Sequence, residues 1–220
     1  MRESARRTVC TNHCRIISIG LESYRAEHGE FPPAYIADAN GKPLHSWRVL
    51  ILPHIDEQAL FDRYRFDEPW DGPNNIKLLA EMPDIYRCPS HGHGESKFSG
   101  QGFTNYLLIT GEETMFPGSE VVPHESVSDE LENIVLLADV NDLSVEWLRP
   151  KDLSAATFRE NLLDTDYVSN HHNLFNDDYD VTVCGFADCS VRSLSGDEFT
   201  PTTLKALTTA AKADKFEDQK

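Results

Sequence analysis

The chain has no apolar run long enough to cross a bilayer. Its longest, Val49-Leu50-Ile51-Leu52 and Ile134-Val135-Leu136-Leu137-Ala138, have the length of core segments, against the roughly 18–20 residues of a span. It is also poor in positive charge: 20 Lys and Arg stand against 37 Asp and Glu, a formal net charge of −17. That imbalance excludes the basic face a nucleic acid requires and excludes attraction to an anionic membrane surface. No cleavable signal segment is visible, and no internal repeat or low-complexity linker breaks the 220 residues. Neither a Gly-x-Ser-x-Gly elbow nor a His-Glu-x-x-His helix occurs, so no familiar hydrolytic nucleophile or catalytic zinc is signalled. The expectation is a protein that is not an enzyme.

What remains is globular. Hydrophobic residues make up 40% and aromatics 10% of the chain, enough for one sizeable core. The simplest division is one domain over 1–220: an N-terminal helix (1–28), a sheet-containing body (29–200), and a C-terminal helix with its tail (201–220). Cys10, Cys14, Ile17, Leu21, Tyr24 and His28 recur at steps of four and three, which lines them on one face of a helix. Gly29 stands where a helix C-terminus wants it, and Pro32-Pro33 forbid continuation. A helix with a single apolar stripe needs a surface to lie on.

Along the body, 44–52 and 56–65 read as short helices, and Asn75 can cap another through Glu81. The segments 103–109, 133–138 and 144–148 read as strands, and 111–129 as a loop. Ser154 is placed to cap a helix through Leu163. Val181–Phe186 and Ser190–Leu194 read as a hairpin around Ala187-Asp188-Cys189, with Cys189 in the place of the glycine of an Asp-Gly turn. Thr200 caps a last helix that opens on Pro201; Asp214–Lys220 reads as a frayed tail. The fold class is therefore α+β, an N-terminal amphipathic helix packed on an antiparallel sheet that includes the 181–194 hairpin.

Five cysteines make an odd count, so at least one is free or pairs between chains. Cys10 and Cys14, one turn apart, have poor disulfide geometry. A Cys10–Cys88 bridge that tethers the helix to the body and a set of buried free thiols are both open from the residues alone.

Three blocks carry a resemblance. One runs from Arg6-Arg7-Thr8-Val9-Cys10-Thr11-Asn12 to Gly29-Glu30-Phe31-Pro32-Pro33. A second runs Leu44-His45-Ser46-Trp47-Arg48-Val49-Leu50-Ile51-Leu52-Pro53, then Glu68-Pro69-Trp70-Asp71-Gly72-Pro73-Asn74-Asn75, then Arg87-Cys88-Pro89-Ser90. The third is Gly185-Phe186-Ala187-Asp188-Cys189-Ser190-Val191-Arg192-Ser193-Leu194-Ser195. Together they resemble the bacterial family built on domain of unknown function 1559, whose members usually begin with a prepilin-type cleavage and methylation segment. The resemblance implies a pilin-like or pseudopilin-like head, outside the cytoplasm, whose N-terminal helix is normally continuous with a membrane-spanning half. Met1 opens directly on a helix already under way, as a chain trimmed of that anchor would. The implied role is a structural or assembly component of a secretion (type II-like) or surface-filament system. Its partners would be other pilin-like subunits, met through the N-terminal helix, and its only contact with a membrane would be the missing segment. Export also implies an oxidising compartment, in which Cys10 and Cys88 pair and Cys14 stays reduced. In this chain Cys14 stands where the family tends to an aliphatic residue, and the usual His-x-Gly-Gly approach to the last hairpin reads Asn170-His171-His172-Asn173.

Candidate sites are local. Cys88, His91 and His93 offer three soft or borderline donors, but no fourth ligand lies nearby for a closed zinc site. His171, Asp177 and Asp178 sit in an oxygen-rich stretch suited to a weakly held calcium ion. Trp70, Asp71 and Asn74 could form a contact surface, although a buried plug suits Trp70 better. The expectation is no firm cofactor and no closed transition-metal site. A soluble ligand-binding module using the loops at Trp70 and His171 is the alternative function, and a metal-dependent enzyme the third.

Overall fold

The structure is a computed structural model, and it describes residues 3–90, 102–127, 130–141, 145–164, 171–172 and 180–210. Helix α1 (Glu3–His28) buries Cys10, Cys14, Ile17, Ser18 and Leu21. Tyr24 is only half-buried and His28 is exposed, so the stripe leaves the core before the last turn, where His28 stacks on Tyr24 at 3.9 Å. The helix ends as its sequence requires: Gly29 takes φ +89° and its N–H donates to Arg25 O at 2.8 Å, a left-handed cap that glycine adopts without strain.

The remaining elements are β1 (Tyr35–Ala37), β2 (Pro43–Ser46), α2 (Trp47–Leu50), α3 (Gln58–Phe61), β3 (Phe103–Thr104), β4 (Tyr106–Thr110), β5 (Val135–Asp139), β6 (Val145–Glu146), β7 (Leu153–Ser154), α4 (Ala155–Leu163), β8 (His171–His172), β9 (Asp180–Phe186), β10 (Val191–Ser195) and α5 (Pro201–Leu207). The main sheet runs β10-β9-β5-β4-β7, with β8 also on β9. Its pairs are antiparallel except for the short β4–β7 edge. The α+β expectation therefore holds, helix on antiparallel sheet, with one parallel edge pair that the sequence did not announce.

Both faces of the sheet are apolar. Tyr106, Leu108, Leu137 and Val183 join Cys14, Ile17 and Leu21 in one core. Leu107, Ile109, Ala138, Cys184 and Phe186 point the other way, toward Phe158, Leu162 and Leu204 of α4 and α5. This is the alternation a strand imposes. Close approach of α1 depends on Gly185, where a Cβ would lie 2.7 Å from Leu137 Cδ2 and collide with Ser18 Oγ.

Several local expectations give way to tertiary pairing. Residues 43–46 form a strand, not the start of a helix, because His45 pairs with Ile36; the helix is only Trp47–Leu50, followed by a 3₁₀ turn at Leu52–Ile55. The helix expected over 56–65 shrinks to Gln58–Phe61, and its start is delayed because Asp56 takes a left-handed conformation. Asn75 does not cap: it is buried inside a 3₁₀ segment. Its Nδ2 donates to Arg65 O, Glu68 O and Pro69 O, and its Oδ1 accepts from Arg65 N at 2.9 Å. In the last hairpin Ala187 and Asp188 keep negative φ and only Cys189 is left-handed, at 64°. That is a three-residue loop with its strained residue last, and not an Asp-Gly type I′ turn.

The Ser46-Trp47-Arg48 block proves to be a buried polar staple. Arg48 donates to Asp152 Oδ1 at 2.7 Å, to Tyr106 O at 2.9 Å and to Ser46 Oγ at 3.0 Å. Asp152 Oδ1 also accepts from Trp47 Nε1 and Leu108 N. Burial holds the Asp152 carboxyl above its ordinary pKa despite Arg48, so the pair fixes geometry more than it adds stability.

Candidate functional site

The topology brings four chemically active side chains to one point. Strands β5 and β8 occupy consecutive stretches of the same edge of β9: Ala138 lies opposite Cys184, and His171 opposite Val181. Alternation turns Asp139 away from Ala138 and puts His171 on the face of Val181 and Val183, which is the face α1 covers. Cys10 arrives from α1, one turn before Cys14, whose thiol points at Val183 O. Cys88 arrives from the segment after the 3₁₀ turn Asp84–Tyr86. Its N–H donates to Asn105 Oδ1 at 3.2 Å, and His13 Nδ1 lies 3.1 Å from Arg87 O, tying this segment to α1.

Cys10, Cys88, Asp139 and His171 each direct one donor atom to within 4.8 Å of the others, and all four are buried. His171 Nε2 is 3.2 Å from Asp139 Oδ2 and 3.7 Å from Cys88 Sγ. The two sulfurs are 2.7 Å apart, and both cysteines are free thiols. His171 Nδ1 lies 3.5 Å from Ser90 Oγ, which accepts from Arg6 Nε at 3.3 Å.

Burial works against a charged imidazole, but the Asp139 carboxylate and the Cys88 thiol beside it push His171 up to about 10. Burial drives the Cys88 thiol far above its ordinary pKa. Contact with Cys88 pulls the Cys10 thiol down, yet burial and the Asp139 charge leave it raised. Neither thiol is tuned toward the thiolate that a nucleophile needs.

A family described as proteins of unknown function (DUF1559) matches residues 1–134. The chain belongs to that family. The matched segment contains Cys10 and Cys88 and ends before Asp139 and His171. No curated protein matches the chain, and no solved structure does.

In this DUF1559 member the other sequence candidates lie apart from the foursome. Trp70 is half-buried against the main core; its N–H donates to Leu44 O at 3.0 Å, and the Arg149 guanidinium sits 6.0 Å from its ring. Asp71 is exposed. Asn74 spends its amide on the Glu68 carboxylate, which also accepts from the N–H groups of Asn74 and Asn75. The Trp70 loop thus closes on itself. Two surface grooves, lined in part by Glu113, Arg159 and Thr208 and by Tyr35, Pro117 and Pro150, include neither Trp70 nor His171. His91, His93, Asp177 and Asp178 lie outside the described residues. His171 faces Asp139 and the cysteines. A second set, Glu27, His28 and His54, lies near the end of α1, with its first two members exposed.

Sequence reasoning paired Cys10 with Cys88 and assigned His171 to a separate calcium site, and it missed Asp139. The one available signal for Asp139 was a carboxylate ending an otherwise apolar strand, Val135-Leu136-Leu137-Ala138-Asp139.

Proposed function

We propose that the protein is a non-enzymatic, pilin-like or pseudopilin-like head that acts outside the cytoplasm as a structural or assembly component of a secretion or surface-filament system. The observation that carries the reading is α1 itself. It is 26 residues long, laid across an antiparallel sheet by one face, with Ile16 and Ile19 left 40% and 48% exposed on the other. Membership of the DUF1559 family supports it. So do the raised thiol pKa values at the one buried cysteine–histidine–carboxylate cluster among the described residues, which leave neither thiol poised for nucleophilic attack. Among the described residues no helix is long and apolar enough to cross a membrane; the reading assigns anchoring to sequence upstream of α1.

The test is site-specific photo-crosslinking in the native host, with a benzophenone side chain replacing Ile16 or Ile19. Crosslinked multimers in the envelope fraction are expected. Monomer alone, recovered from the cytosol, overturns the reading.

A further inference from the structure

We propose that Cys10, Cys88, Asp139 and His171 form a closed, four-ligand zinc site that pins α1 to the sheet. The inference does not rest on the pilin-like reading, although both concern α1. Three observations lead to it.

The first is convergence. One Nε2 atom of a buried histidine faces both a carboxylate oxygen at 3.2 Å and a sulfur at 3.7 Å. A cation placed among the four would draw on all of these donor atoms at once. Around a tetrahedral zinc ion, with bonds of about 2.0 Å to nitrogen and oxygen and about 2.3 Å to sulfur, the N···O and N···S edges come to about 3.3 and 3.5 Å. Those edges are close to the ones observed. The sulfurs, now 2.7 Å apart, must open to about 3.8 Å. Cys10 and Cys88 lie on separate segments of the chain, so no local backbone geometry fixes that distance.

The second is donor chemistry. Two sulfurs, an imidazole nitrogen and a carboxylate oxygen suit a borderline ion such as zinc, and thiolates argue against calcium or magnesium. Binding exchanges the two thiol protons and the imidazolium proton of His171 for the metal and releases all three to solvent, with no change in oxidation state. Zinc with two thiolates, one carboxylate and a neutral imidazole carries a net −1. The Arg6 guanidinium, reaching Ser90 at 3.3 Å, lies on the side where that charge needs an answer.

The third is the surroundings. The second ring nitrogen of His171 faces Ser90 Oγ at 3.5 Å, the outer partner that fixes a ligating histidine. Cys10 and Cys88 are 0% and Asp139 and His171 1% exposed. Four buried protein donors describe a structural centre, which keeps no open position for a substrate. The four ligands come from α1, the segment after Tyr86, the end of β5, and β8. One ion would therefore join four parts of the chain that share no local hydrogen-bond ladder with one another.

The test uses the full chain, reduced and freed of metal, titrated with cobalt(II) and then zinc. One cobalt per chain is expected, with tetrahedral d–d bands and thiolate charge-transfer absorption that zinc abolishes, and zinc should raise the melting temperature. Ser90→Ala should weaken zinc binding about 10-fold, and Cys88→Ser should remove at least half of the charge-transfer band. A Cys14→Ser/Cys184→Ser/Cys189→Ser variant should keep the signal. Should the ligand variants fail to fold, the unmodified chain decides, because its cobalt spectrum reports the sulfur count directly. Three results overturn the proposal: no cobalt bound by the reduced chain; a Cys10–Cys88 disulfide in the native protein with no metal; or binding that survives Asp139→Asn and Cys10→Ser and is lost with His91 and His93.

Discussion

Asp139 and His171 meet at 3.2 Å across 32 positions of sequence, because β5 and β8 share one edge of β9. That register places two of the four members of the buried cluster. A one-residue slip of β8 would turn His171 to the opposite face of the sheet, away from α1.

Gly185 sets how closely the helix can lie on that face. Gly185→Ala puts a methyl group into Ser18 Oγ and within 2.7 Å of Leu137, and should cost about 1–3 kcal/mol by overpacking. Adding Ser18→Ala should recover part of the loss. Urea unfolding of the single and double variants measures both; equal stability of Gly185→Ala and the parent would contradict the packing described.

The Arg48–Asp152 pair should behave as a unit. Asp152→Ala leaves a fully buried guanidinium without its carboxylate and should cost about 3–5 kcal/mol. Asp152→Asn should cost less, since the amide oxygen still accepts from Trp47 and Leu108. A double-mutant cycle with Arg48→Ala should give a total well below the sum of the singles, and strict additivity would show the contact to be unimportant.

Asn75 closes the Trp70 loop with four hydrogen bonds to backbone. Asn75→Ala should destabilise by about 1–3 kcal/mol through orphaned buried groups and should make the 65–75 segment sensitive to protease. A loop that stays protected after this change would argue that Trp70 packing, and not Asn75, holds it.

His45 supplies a pH dependence. Burial lowers its pKa from the ordinary value, with Tyr64 Oη at 2.9 Å from Nδ1 and the Phe66 ring against it. Because the folded value is the depressed one, the unfolded chain takes up the proton first. The stability contributed by the neutral ring is complete above a pH of about 6.5 and is lost as the pH falls from there through the folded pKa. His45→Asn should flatten the stability profile over that interval. A profile with the same slope as the parent would reject the assignment.

The features readable from the sequence are those written in neighbouring residues. The stripe from Cys10 to Leu21 gave α1, and Gly29 gave its end. Ser154 and Thr200 gave their caps, each of which accepts a backbone N–H in the structure. The run from Val181 to Leu194 gave a hairpin, down to the residue that takes a positive φ. Where local preference met a tertiary partner, the partner prevailed. Residues 44–46 are helical by pattern and part of a strand by pairing with β1. Asn75 is a cap by type and a loop clamp by burial.

The sequence by itself determined the α+β class, the helix–sheet packing and the family, because periodicity, caps and turns act over a few residues and their free energy is local. Only the tertiary structure decided that Cys10, Cys88, Asp139 and His171 share one buried point. Their separations in sequence carry no information about proximity. The two on the sheet are joined by the edge of β9, and the other two by the rotation of α1 and the seating of the Tyr86 turn, and no window of the chain contains those relations.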